Sequence, residues 1–162
     1  MPPQAPEDHE LQRLREQKLK RYARLQHLKA TGLEWPEAPA EQSTEAAVAF
    51  LRKYPVALLE FWAQWCKPCH KMKPLMEELS AEYWGDVAFA RLDLDKNADA
   101  RELWGVTVLP TMIITKHALE VSRIEGASTR TRLVKHLAPY AASPEERVKR
   151  EGRAQPPGAH GE

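Results

Sequence analysis

The chain predicts an α/β domain: a mixed β-sheet with helices on both faces. Three observations carry that expectation. Short apolar runs such as Val56-Ala57-Leu58-Leu59 and Val87-Ala88-Phe89-Ala90 alternate with stretches whose apolar residues recur every three or four positions. The last two strand-like runs, Met112-Ile113-Ile114 and Leu119–Ile124, follow one another without a helix between them and form a hairpin. Both cysteines fall in one Cys-x-x-Cys, Cys66-Lys67-Pro68-Cys69, where an apolar strand runs into a helical pattern. The alternation gives parallel neighbours and the hairpin antiparallel ones, so the sheet is mixed.

Length and composition bound the answer. The 162 residues suit one domain with length to spare, and a hydrophobic fraction of 43% with five tryptophans can build a core. A net charge of +1 gives the whole protein no bias toward nucleic acid or a membrane surface. The charge is uneven, because Glu10–Lys29 contains seven basic and two acidic residues. Two cysteines in a single motif exclude a disulfide-stapled scaffold. The first residues lack the apolar core of a signal peptide, and no run approaches membrane-spanning length. The cytoplasm is the expected compartment, where a cysteine pair serves catalysis or metal binding more often than architecture.

Taken in order, residues 1–9 are proline-rich and polar and read as disordered. A basic amphipathic helix is expected from about 10 to 30, with Leu11, Leu14, Tyr22, Leu25 and Leu28 on one stripe and Gly32 as its stop. Residues 1–39 therefore form an N-terminal extension. Leu33–Pro39 can hold at most a short edge strand, since proline donates no ladder hydrogen bond. Ser43 or Thr44 caps a helix that ends at Tyr54-Pro55. A buried strand follows over Val56–Trp62, then the motif helix from Lys67 to Trp84, with Pro74 inside it and Gly85 closing it. Val87–Leu94 is a second central strand, Asn97 caps a short helix, and after the hairpin Ser128 or Thr129 starts a last helix facing inward through Leu133, Val134 and Leu137. The domain thus spans 40–141, with a flexible tail over 142–162.

The motif has a physical reason for its place. A thiolate at a helix N-terminus meets free N–H groups and the positive end of the helix dipole, which lower its pKa. A spacing of three sets the second thiol one turn further on, within reach of the first. The same letters admit rivals. Cys66-Lys67-Pro68-Cys69-His70 fits a haem-attachment pattern, and two copies of the motif could share a metal ion. Haem attachment would need export and a second axial ligand.

Over about Ala40–Tyr140 the chain resembles the thioredoxin family. Glu60-Phe61-Trp62-Ala63-Gln64-Trp65-Cys66-Lys67-Pro68-Cys69 is similar to that family's signature. Pro74 matches its helix proline, Pro110 its cis-proline facing the disulfide, and Gly126 its groove glycine. Departures accompany these matches: Lys67 stands where a glycine is usual, Glu60 where a buried aspartate is usual, and Arg91 where a lysine is usual. Val108 and Glu125, at groove positions, also differ from the family pattern.

The resemblance implies a thiol–disulfide oxidoreductase that reduces protein disulfides and needs no bound cofactor. Cys66 would be the exposed nucleophile, Cys69 the resolving thiol, and Glu60 the group that takes the proton from Cys69. Trp65, Lys67, Pro68, Leu109, Pro110 and Gly126 would line the substrate groove. Partners would be disulfide-containing client proteins and a thioredoxin-reductase-type electron donor, which would carry any nicotinamide or flavin. The rival reading is a redox-linked binding module whose N-terminal helix holds the partner.

Overall fold

The computed structural model describes residues 6–140, which fall into two compact units, one reaching to Trp35 and the other beginning at Pro36. The tail expected over 142–162 lies outside the described residues.

The first unit is helix α1, Pro6–Thr31. It starts before the expected residue 10, inside the stretch read as disordered. Proline suits a first helical position, where its missing N–H has no partner to lose, and Asp8 and Glu10 favour the positive end of the dipole. Gly32 ends it at φ +65°, its N–H donating to the Leu28 carbonyl at 2.7 Å. The Thr31 hydroxyl donates to the His27 carbonyl at 2.7 Å, and the His27 ring meets Trp35 edge-on at 5.3 Å. Leu11, Leu14 and Leu25 on the apolar stripe are about half exposed, at 51%, 48% and 47%.

The second unit runs β1 (Ala40–Gln42), α2 (Thr44–Lys53), β2 (Val56–Trp62), α3 (Lys67–Glu82), β3 (Ala88–Asp93), α4 (Asp99–Leu103), β4 (Thr111–Lys116), β5 (Leu119–Glu125) and α5 (Arg130–Leu137), closed by a 3-10 turn at Ala138–Tyr140. The five strands lie in the order β1-β3-β2-β4-β5, with β1, β3 and β2 parallel and β4 and β5 antiparallel. The edge strand falls just beyond the two prolines, at Ala40–Gln42, rather than among them.

Strand alternation divides the core. Leu58, Phe89, Met112, Ile114 and Ile124 face Met72, Met76 and Leu79 of α3 and Leu133 and Leu137 of α5. On the opposite face α2 packs against β2 and β3, and the Phe61 ring meets Trp104, just after α4, at 5.5 Å. Burying a single large apolar side chain of this kind contributes about 1.5–3 kcal/mol.

Local signals place most helix starts. The Ser43 hydroxyl accepts from the Ala46 N–H at 3.2 Å, and the Thr129 hydroxyl from the Arg132 N–H at 3.3 Å. Asn97 behaves differently from the expectation. Its side-chain oxygen accepts from the Thr44 N–H, its amide donates to the Asp93 carbonyl, and α4 starts without a side-chain cap. The β4–β5 hairpin turns through His117 and Ala118 at φ 50° and 65°, a left-handed pair that glycine or asparagine would enter more easily. The His117 N–H donates to the Pro55 carbonyl at 2.8 Å and anchors that turn.

Candidate functional site

Strand β2 delivers the chain to the motif. Its seven residues are all buried, and after Trp62 the backbone turns so that Cys66 occupies the N-cap of α3. The Cys66 sulfur accepts from the Cys69 N–H at 3.2 Å, so this sulfur takes the role that a serine or aspartate oxygen usually plays at a helix start. The two cysteines form a disulfide, with sulfurs 2.18 Å apart and Cα atoms 5.3 Å apart. Pro68 lies in the first turn of α3, where its missing N–H costs nothing.

One expectation changes here. Cys66 is not openly exposed: it is 3% accessible in this disulfide form, against 0% for Cys69. Both sulfurs pack in a small cluster with Trp62 and Ala63, and Leu109 lies against it. The difference between the two cysteines is therefore one of position at the helix start more than of open surface. Trp65, Lys67 and Pro68 beside them are exposed, Trp65 at 67%, and its indole N–H donates to Asp95 Oδ1 at 3.2 Å.

The Leu109–Pro110 peptide bond is cis. The carbonyl of the buried Pro110 accepts from the Gly126 N–H at 2.8 Å, which ties the start of β4 to the end of β5. Gly126 has φ +83°, and a Cβ built there would meet nothing within 4 Å. That glycine therefore answers a backbone requirement and leaves open space above it.

Glu60 sits in the middle of β2, completely buried, opposite Arg91 of β3 and Met112 of β4. Its neighbours two residues away, Leu58 and Trp62, pack toward α3, so its carboxylate shares the face that carries the redox pair. Neither carboxylate oxygen has a hydrogen-bond partner among the described residues. Arg91 Nε is 3.7 Å from Glu60 Oε2, an ion pair without a hydrogen bond. The guanidinium is drawn instead to Glu41 on β1, Nη1 to Oε1 at 3.2 Å, and lies 4.2 Å above the Trp62 ring. Trp62 in turn donates its indole N–H to Glu41 at 3.4 Å. Burial raises the Glu60 pKa to about 7; Arg91 pulls it down and Glu41 pushes it up. A carboxyl group that titrates near neutrality can accept and return a proton under working conditions.

The fold thus gathers Cys66, Cys69, Trp65, Lys67 and Pro68 at one helix start, with Leu109 against the cysteine pair. Glu41 and Trp62 frame Arg91; the sequence names Trp62 only as part of the motif and gives no sign of Glu41. The place of Trp62 was within reach, because it lies two residues from Glu60 on the same strand; Glu41 carried no local signal, because only β1–β3 pairing brings it to Arg91. Among the described residues, no group of three or more His, Cys, Asp or Glu could hold a metal ion. His70 contacts the Gln64 carbonyl through Nε2 at 2.6 Å and packs edge-on to Trp62. No helix among the described residues is long and apolar enough to cross a membrane.

The thioredoxin family model matches residues 40–139. Thioredoxin 2 of Chlorobaculum tepidum is 38% identical over 82 residues, 51% of this chain and 75% of that protein. A thioredoxin of Synechocystis is 35% identical over 83 residues, 51% of this chain and 78% of its own length. A solved mutant thioredoxin of Halobacterium salinarum superposes with a TM-score of 0.63 at 25% identity, covering 68% of this chain and 97% of that one. With the disulfide at the start of α3 and the match over 40–139, the chain belongs to the thioredoxin family and is a thiol–disulfide oxidoreductase.

Proposed function

We propose that the protein reduces disulfides in client proteins with Cys66 as nucleophile, Cys69 as resolving thiol and Glu60 as proton acceptor. The observation that carries the assignment is the Cys66 sulfur at the N-cap of α3, accepting the Cys69 N–H. That bond and the helix dipole favour a thiolate at Cys66 over one at Cys69. The Cys66 thiolate attacks one sulfur of the client disulfide. A bond forms between Cys66 and that sulfur, the client S–S bond breaks, and the other client sulfur leaves as a thiolate. Cys69 then gives its proton to Glu60 and attacks the Cys66 sulfur, which closes the Cys66–Cys69 disulfide and releases the second client thiolate. Two electrons have passed to the client, and an external dithiol or a thioredoxin-reductase-type flavoprotein restores the pair.

The groove for the client is bounded by Trp65, Lys67 and Pro68 at the helix start and by Leu109, Pro110 and Gly126, of which Leu109 packs against the cysteine pair. Residues 40–141 form the redox domain and 1–39 an extension to it. A reducing compartment such as the cytoplasm would keep the pair as a dithiol between turnovers. Insulin reduction with dithiothreitol as electron donor tests the activity: the protein should accelerate precipitation of the insulin B chain well above the dithiothreitol background, and a rate equal to background would overturn it.

Lys67 places a full positive charge next to the nucleophile, in the position where the family usually has glycine. A cation there favours the thiolate and so the reduced form. Replacing it with glycine is expected to make the disulfide harder to reduce, lowering the potential by about 10–20 mV if the charge contributes about 0.5–1 kcal/mol. Equilibration with glutathione redox mixtures reads that shift directly.

A further inference from the structure

A groove of about 440 Å3 opens beside the redox pair, between α3 and the loop after β5. Exposed Lys67 and Lys71 line it from α3, Ala127 and Ser128 line it from the loop, and the buried Met72 and half-buried Leu75 lie beneath. Lys67 and Lys71 are four residues apart and so share one face of the helix. Neither ammonium group has an ion-pair partner among the described residues. The Ser128 hydroxyl is buried and also lacks a hydrogen-bond partner among the described residues. Its backbone is held in place, because the Ser128 N–H donates to Met72 Sδ at 3.4 Å. Glu125, which precedes this loop, lies two residues from Arg123 on the same strand and interacts with that guanidinium. The two lysines therefore face the groove with their charge uncompensated.

Two exposed cations without ion-pair partners among the described residues, over an apolar floor and beginning one residue from the nucleophile, describe a site for a short carbon chain ending in an anion. We propose that this groove binds the carboxylate side chain of an Asp or Glu close to the client's disulfide, so that the protein selects clients whose reducible cysteine lies in an acidic segment. The proposal rests on the oxidoreductase reading, since a client chain must cross this surface to bring its sulfur to Cys66. Met72 and Leu75 suit the methylene carbons of a glutamate, whereas inorganic phosphate would make no use of them. Exposed charge pairs of this kind act on encounter as much as on affinity, so their effect should weaken as salt screens them.

The test uses three peptides with the same intramolecular disulfide, carrying Glu, Gln or Lys two residues from the attacked cysteine. kcat/KM is measured for each with the full-length protein at low and high salt. The wild type should reduce the Glu peptide about three to ten times faster than the Gln peptide at low salt, and the Lys peptide more slowly still, with the differences shrinking at high salt. Lys71→Gln should narrow the Glu-to-Gln ratio, and Lys71→Glu, which leaves the two positions with no net charge, should abolish the preference so that the three peptides react at similar rates. Equal rates for the three peptides with wild-type protein would overturn the proposal while leaving the oxidoreductase reading in place. An unchanged order in Lys71→Glu would also overturn it, because discrimination would then arise elsewhere. Failure to reduce any of the peptides would remove the oxidoreductase reading and the proposal together.

Discussion

Cys66→Ser is expected to abolish disulfide reduction, with a loss of at least about a thousandfold, or some 4 kcal/mol of barrier. The size follows from what remains: the chain has two cysteines, both in the motif, so the variant keeps only Cys69, which is fully buried and lies inside α3 rather than at its start. Serine at the cap still accepts the N–H of residue 69, so the helix start survives and the loss is chemical. Cys69→Ser is expected to behave differently. Cys66 can still attack, but no second thiol closes the disulfide, so the client should remain attached through a mixed disulfide visible by mass spectrometry or non-reducing electrophoresis. Alkylation of the reduced wild type near neutral pH should label Cys66 faster than Cys69. If Cys66→Ser instead trapped clients and Cys69→Ser were inert, the two roles would have to be exchanged.

Replacing Glu60 with glutamine is expected to have opposite effects on chemistry and on stability. Resolution of the mixed disulfide should slow by about a hundredfold near neutral pH, the low end of general-base contributions, while the first attack by Cys66 is spared. In the wild type the resolution rate should rise as Glu60 ionises through about pH 7, and the Gln variant should lose that rise. Stability follows from the same carboxyl. Its pKa is about 7 when folded and near the ordinary 4.5 when unfolded, so between these values the folded protein binds the extra proton. Stability is therefore fully present below about pH 4.5 and falls as pH rises through 7, by on the order of 3 kcal/mol. The Gln variant carries no such group and should be more stable than the wild type at pH 8, with the advantage shrinking toward pH 5. Urea unfolding at both pH values measures it. A stability difference that does not change with pH would mean that Glu60 stays ionised through Arg91, and an unchanged rate profile would remove it from the proton path.

Much of this site was legible because its signals are local. A cysteine pair spaced by three, a proline inside the first turn, an apolar strand before and a 3.6-residue period after are all sequence neighbours, and the cap bond from Cys69 to Cys66 spans three residues. Ser43 and Thr129 were readable for the same reason: a cap is decided within one turn. Asn97 shows where that logic stops. A side chain with caps available nearby was taken instead by the Thr44 N–H and the Asp93 carbonyl, the first of which arrives only when β1 and α2 pack beside it.

Periodicity and spacing within a turn were enough to establish the order of elements from α2 to α5, the redox pair at a helix start, and an acid on the central strand. How deeply that pair is buried came from packing, because Trp62, Ala63 and Leu109 close around the sulfurs from separate segments. Likewise, Arg91 is divided between Glu60 and Glu41 because parallel pairing sets β3 between β1 and β2, and no spacing in the chain announces that neighbourhood. The groove at Lys67 and Lys71 belongs to the same class: the lysines are visible as a helical pair, but Ala127 and Ser128 line the groove with them only because β5 ends at Glu125 and the chain turns back over α3. Electrostatics and burial sum over everything within a few ångströms, and those neighbours are chosen by the fold.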